Sequence, residues 1–191
     1  MTGSLSIQEL AERLPRAATD LCSYCGSISP ELFFHQPGDK WSAAQQVKHL
    51  ARSTDMSRLA YSLPKFIVRF LGGRPNRNSR TYDQLVEKYN LKLQEGGKAS
   101  GRYIPKPIPA SYGKEKVLQQ FTRSMQRFTN ALLKNWDDPR LDQYLAPHPL
   151  LGKITLRELC YFTIHHTYHH LGSIQKMTPA FLKAPEDKSH S

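Results

Sequence analysis

Apolar residues that return every three or four positions commit most of this chain to helices packed side by side. The clearest run is Val117, Phe121, Met125, Phe128 and Leu132, which lines one face of a helix from about Lys116 to Asn135. Three other segments share the pattern. Ile7, Leu10, Leu14 and Leu21 follow Ser6 and Glu9, a capping box that satisfies two backbone N–H groups at a helix start. Pro15 is expected to kink that first helix. Ser42 and Gln45 open a second one, which carries Val47, Leu50, Ala51, Thr54 and Arg58 and runs to about Leu63, ahead of Pro64. Thr155 and Glu158 open a fourth, to about Lys176, and Asp137-Asp138-Pro139 closes the third. The connector from Gly26 to Lys40 holds one short helical turn, around Glu31 to Phe34. No alternating strand pattern of convincing length and no internal repeat is found. The expectation is therefore all-α: four long amphipathic helices in an antiparallel bundle, one domain over residues 1–180 with a polar tail over 181–191.

Charge is unevenly distributed along the 191 residues. The chain carries 27 Lys and Arg against 16 Asp and Glu, a net charge of +11. Most of the excess falls between Lys65 and Lys116, where twelve basic residues meet four acids for a net +8. This basic insert reads as half-ordered, with a short helix near Tyr82 to Leu93 and loops at Gly96-Gly97 and Pro105 to Pro109. Arg74, Arg77 and Arg80 with Tyr82, and Arg102 with Tyr103, mix charge with aromatic rings as nucleic-acid surfaces do, but no reading motif accompanies them and a solvated surface is favoured. Three cysteines make no disulfide framework, and a reducing cytoplasm fits best. Cys22 and Cys25 have C-x-x-C spacing without a second pair or a βαβ setting, so they are expected to pack helix one. Met1 to Leu14 lacks the pattern of a signal peptide, and no stretch approaches the roughly 18 apolar residues of a membrane span. Phosphate loops, nucleophile elbows and usefully spaced carboxylate pairs are not seen.

The chemistry concentrates in one phrase, His165-His166-Thr167-Tyr168-His169-His170. On a helix, residues i and i+4 share a face with Cβ atoms about 5–6 Å apart. Both His166 with His170 and His165 with His169 meet that condition, and either pair suits two imidazole ligands at about 2.0–2.1 Å from a zinc ion. Spacing does not choose between them. A third ligand must come from another helix, and His49 is the best candidate, a polar residue beside Val47 and Leu50 on a largely apolar face. His35 and His148 fall in loops, and His190 in the tail. Three imidazoles leave a coordination position open, the arrangement of a catalytic site rather than a structural one.

Lys40-Trp41-Ser42, followed by Val47 and His49-Leu50, is similar to the start of the second helix in the DinB-like (DinB/YfiT) superfamily. Thr155-Leu156-Arg157-Glu158-Leu159, followed by His166, His169 and His170, resembles its fourth helix, and His148-Pro149 and Gly152 resemble the approach to that helix. The resemblance covers about Leu5 to Gln175. It implies an up-down-down-up four-helix bundle with a long crossover between helices two and three, which the basic insert would contain. It also implies one divalent metal ion (zinc, nickel or iron) held by His49, His166 and His170, with His169 a neighbour of the site and His165 an extra histidine. Where the family often has Arg-Gly-Gln after its paired histidines, this chain has Leu171-Gly172-Ser173.

Characterised members of that superfamily include thiol-dependent S-transferases and isomerases, so the resemblance implies metal-dependent thiol transfer on a small-molecule substrate, with hydrolysis second. A low-molecular-weight thiol would be the second cofactor. Dimerisation through the bundle is common among relatives. The competing expectation is a non-catalytic metal-binding or stress-response protein, associated with nucleic acid through the basic insert.

Overall fold

The computed structural model describes residues 4–182, so the polar tail expected over 181–191 lies, beyond Leu182, outside the described residues. The chain is mostly helical. Its elements are α1 (Ile7–Ser27), α2 (Pro30–Phe34), α3 (Ala43–Ser62), α4 (Lys65–Gly72), α5 (Tyr82–Gln94), α6 (Lys114–Asn135), α7 (Asp138–Gln143), the strands β1 (Leu145–His148) and β2 (Gly152–Thr155), and α8 (Leu156–Leu182). The capping boxes form as expected: Ser6 Oγ accepts the Glu9 N–H while Glu9 accepts the Ser6 N–H, and Ser42 and Gln45 do the same. Helix α1 continues through Pro15, whose missing N–H leaves the Ala11 carbonyl without its helical donor.

The four long helices, α1, α3, α6 and α8, share one core. Both α1 and α3 pack against α6 and α8. The expected stripe on α6 is buried in full, from Val117 to Leu132. Tyr61 of α3 is fully enclosed, packs edge-on against Phe128 of α6 at 4.8 Å, and donates its hydroxyl to the Leu156 carbonyl. Cys25 is buried in α1 and Cys22 lies half-buried against Thr122, consistent with packing residues.

Two expectations need correction. The first is the absence of strands. Residues 145–155 form an antiparallel hairpin, with Leu145 opposite Thr155 and His148 opposite Gly152. Its strands are four residues long and β1 contains Pro147, too short and too broken for alternation to register. Gly152 turns the chain with φ of +74°, a conformation glycine adopts without a Cβ penalty.

The second is the half-ordered insert. The stretch after Leu63 carries the expected short helix as α5 and a further helix, α4, and it is tied down at many points. A Cβ on Gly72 would lie 1.8 Å from the Leu145 carbonyl oxygen, so α4 ends in direct backbone contact with β1. Many basic residues of this stretch anchor it. Arg77 and Arg80 bind the buried carboxylate of Glu158, Lys88 donates to the Leu151 carbonyl, and Arg69 lies over the Tyr144 ring and donates to the Gln143 carbonyl. Lys114 reaches two carbonyls at the end of α1, those of Gly26 and Ile28. Helix α5 thereby docks on α8. Composition advertised this segment as a solvated surface because the partners of its cations are carbonyls and one carboxylate far away in sequence.

Candidate metal centre

Helix α3 is buried on most of its N-terminal half, and His49 lies there among Gln46, Val47 and Leu50. Helix α8 is buried almost without interruption from Leu156 to Ile164, then presents His166 and His170 one turn apart toward α3. The three imidazoles meet in the interior, with 6%, 6% and 8% of their surface exposed. His166 Nε2 is 3.2 Å from His49 Nε2 and 3.2 Å from His170 Nε2. His165 and His169 do not join them. Their rings stand 6.5 Å apart; His169 is exposed, and His165 sits between Tyr82 and Tyr89 with its Nε2 buried and unpartnered among the described residues.

The outer ring nitrogens explain how the inner ones are aimed. His49 donates its Nδ1–H to the Tyr103 carbonyl at 2.7 Å, from the short helical turn Gly101–Tyr103 between α5 and α6. His170 donates its Nδ1–H to Gln46 Oε1 at 2.9 Å. The Gln46 amide is itself oriented, because its nitrogen donates to the Trp41 carbonyl. With Nδ1 protonated on both rings, a neutral imidazole turns its Nε2 lone pair inward. Burial, the largest cause, pushes all three imidazoles below their ordinary pKa, and the neighbouring histidines push His166 and His170 further. For His49 the Tyr103 hydrogen bond opposes that shift without cancelling it. The rings are therefore held neutral, the state in which imidazole ligates a metal.

This donor set fits a divalent cation. Nitrogens about 2.0–2.1 Å from a tetrahedral ion stand about 3.3 Å from one another, close to the observed separations. His166 Nε2 carries at most one hydrogen, so without a cation the three nitrogens meet with at most one proton among them. Among the described residues no cysteine, aspartate, glutamate or fourth histidine completes the group. Trp41 stacks parallel to His170, and Phe162 covers His166 at 4.8 Å between ring centres.

A model of the DinB superfamily matches residues 12–174, a span that holds all three histidines and the stretch between α3 and α6. The chain belongs to the DinB superfamily. Members of the superfamily are known to bind metal, in keeping with a three-histidine group able to hold an ion. No match is found among curated proteins. In this DinB-superfamily chain, the residues that orient the ligands escaped sequence reasoning. Gln46 had a usable signal, since it lies three residues before His49 on the same helical face. Tyr103 had none, because it acts through its backbone carbonyl.

Two cavities meet at the cluster. One, of 450 Å³, is lined by His49, His166, His169 and His170 and by side chains of α3, α4, α5 and the hairpin. His148, read from sequence as a loop residue, lines it from β1. Its ring packs 4.2 Å from Phe162 between centres, and its Nδ1 accepts the N–H groups of Leu150 and Leu151. Burial, helped by the Lys88 charge, lowers the His148 pKa to about 4. The other cavity, a cleft of 1050 Å³, shares Trp41, His169 and His170 with the first but is lined also by Asp39, Lys40 and Lys176. Among the described residues no helix is long and apolar enough to cross a membrane.

Proposed function

We propose that this protein is a divalent-metal-dependent enzyme whose ion is held by His49, His166 and His170. The observation that carries the reading is the convergence of three Nε2 atoms, two of them aimed by carbonyl oxygens bound at the opposite ring nitrogen, beside an open cavity. Imidazole donors suit zinc, nickel or iron. A divalent ion in this position lowers the pKa of a bound water or thiol and polarises a neighbouring electrophile. The framework matches this reading. It is an up-down-down-up bundle of α1, α3, α6 and α8, and residues 63–113 form the long crossover that brings the Tyr103 carbonyl onto His49.

The favoured reaction is thiol-dependent S-transfer on a small molecule, with hydrolysis second. The sulfur of a low-molecular-weight thiol bonds to an electrophilic carbon, the leaving group departs with its electron pair, and the thiol proton passes to a base. His169 is the residue proposed for that proton, being the exposed imidazole common to both cavities. The polar cleft beside it, with Asp39, Lys40 and Lys176, suits a zwitterionic thiol.

A second reading is a non-catalytic metal-binding protein. It is favoured by the cavity wall, which offers no carboxylate as a general base. Metal content per chain of untagged protein tests the site first. The parent is expected to hold about one ion, and His49→Ala and His166→Ala to hold none; unchanged metal in either variant would sink the assignment. Metal-dependent loss of free thiol across an electrophile panel then supports the enzyme, and silence across the panel supports the binder.

A further inference from the structure

Away from the histidines, the 450 Å³ cavity is walled mostly by hydrocarbon. Met56 comes from α3, Leu63 from the residue that caps its end, Val68 from α4, Leu93 from α5, Leu150 from the hairpin turn and Phe162 from α8. Apart from histidines, Lys98 is the one charged side chain among its lining residues, and it is exposed to solvent. Of its hydroxyl groups, Ser53 lies one helical turn beyond His49 and Ser57 a turn further along α3. The neighbouring cleft is different in kind, with Asp39, Lys40 and Lys176 in its wall. The two cavities share only Trp41, His169 and His170 among their lining residues, so the apolar wall of the first is separate from the charged wall of the second.

A volume of this size falls in the usual range for small-molecule pockets, in which apolar walls supply affinity and a few polar groups fix orientation. A charged group held among these side chains would lose its hydration without gaining a partner. Each methylene moved from water into such a wall gains about 0.8 kcal/mol, close to a fourfold change in affinity. We propose that this cavity binds the hydrocarbon body of a neutral small molecule, with the molecule's polar or reactive group placed at the histidine end. The placement of the reactive group rests on the proposed function; the preference for a neutral apolar body does not.

Titration calorimetry with straight-chain 1-alkanols, from butanol to decanol, tests the inference on the protein as purified and after chelation. Affinity is expected to rise about fourfold per methylene in both forms until the cavity is full. After chelation, which leaves no ion to take up a carboxylate, a charge at one end of the chain, as in 8-hydroxyoctanoate compared with 1-octanol, is expected to weaken binding at least tenfold. Ala60→Phe sets a ring into the cavity wall without touching the histidines. It should end the rise at a shorter chain while metal content and helical circular dichroism stay as in the parent. No binding of any alkanol, affinity independent of chain length, equal binding of the charged chain, or an unchanged length limit in Ala60→Phe would each overturn the inference. Metal content is read separately. A chain that binds no metal but shows the length series refutes the metal reading alone, and a metal-bearing chain without the series refutes the apolar cavity alone.

Discussion

Helix α8 buries polar groups at its start and again near its middle, and the two clusters solve opposite problems. At its start, Arg157 uses all five of its N–H donors, on the carboxylates of Asp142 and Asp138 and the carbonyls of Asp138 and Leu5. The adjacent Glu158, fully enclosed, accepts from both Arg77 nitrogens, from the N–H groups of Arg80 and Thr155, and from the Arg80 guanidinium. Nothing is left for a ligand to supply. Two turns further on, His166 and His170 are as well buried, but their inner nitrogens face one another and His49 with too few protons to pair. The first cluster ties α7, the chain before α1 and the residues just ahead of α5 to the start of α8. The second has a donor set that a cation would complete. Burial of polar side chains therefore says little about function until donors and acceptors are counted.

The largest expected effect separates the two clusters by metal alone. An ion that binds the folded state and not the unfolded one adds about 4 kcal/mol of stability when its free concentration is a thousandfold above its Kd. Zinc or nickel should raise the melting temperature of the parent and chelation should lower it. His166→Ala should show neither response, whereas Arg157→Ala should keep both. A metal-dependent shift that survives in His166→Ala would break the contrast.

Next in size is the cost of opening the closed cluster. Removing one member of a buried ion pair costs about 3–5 kcal/mol. Arg157→Ala should fall near about 3 kcal/mol, the low end of that range, because Asp138 and Asp142 are half-exposed and regain water when the guanidinium is gone. Denaturant unfolding measures the loss, and the metal content of the folded variant should stay at the parent value. A loss under about 1 kcal/mol, the size of an exposed pair, would mean that the cluster holds the helix end without stabilising it.

The sequence made the helical ends of this comparison visible and left their partners hidden. Ser6 with Glu9, Ser42 with Gln45 and Thr155 with Glu158 are local signals three residues long, and each forms as read. The α6 stripe is likewise a property of consecutive turns. The spacing of the histidine phrase announced two equivalent pairs and the family resemblance named His166 with His170; the rotation of α8 against α3 is what brings that pair, and not His165 with His169, to His49. Glu158 read as a cap and is one, but its larger role depends on Arg77 and Arg80, about eighty positions earlier in a stretch whose composition suggested solvent. The Tyr103 carbonyl is invisible for a stronger reason, since any residue supplies one. The hairpin escaped because four-residue strands carrying Pro147 have no periodicity to detect.

The groups behind the ligands sharpen the contrast further. Partners at the outer nitrogen of a ligating histidine typically contribute 10–100-fold in metal affinity. Gln46→Leu removes the acceptor of the His170 Nδ1–H and should weaken zinc binding by about that factor, measured by competition with a chromophoric chelator. Gln46→Glu keeps an acceptor in place and should recover most of the affinity. Equal affinity in Gln46→Leu and the parent would mean that packing by Trp41 alone orients the ring.

The smallest effect belongs to acid titration of the closed cluster. Burial raises the Glu158 pKa, but the hydrogen bonds from Arg77, Arg80 and Thr155 outweigh it and leave the group below its ordinary value of 4.5. The unfolded chain then binds a proton at a higher pH than the folded chain does. The stabilisation is complete above pH 4.5 and is lost as pH falls below it toward the folded pKa. Glu158→Gln cannot titrate, so its stability, though lower at neutral pH, should decline less steeply across that acid window than the parent's. Parallel declines in the two proteins would assign the acid sensitivity to other carboxylates and leave Glu158 a hydrogen-bonding hub whose charge contributes nothing to stability.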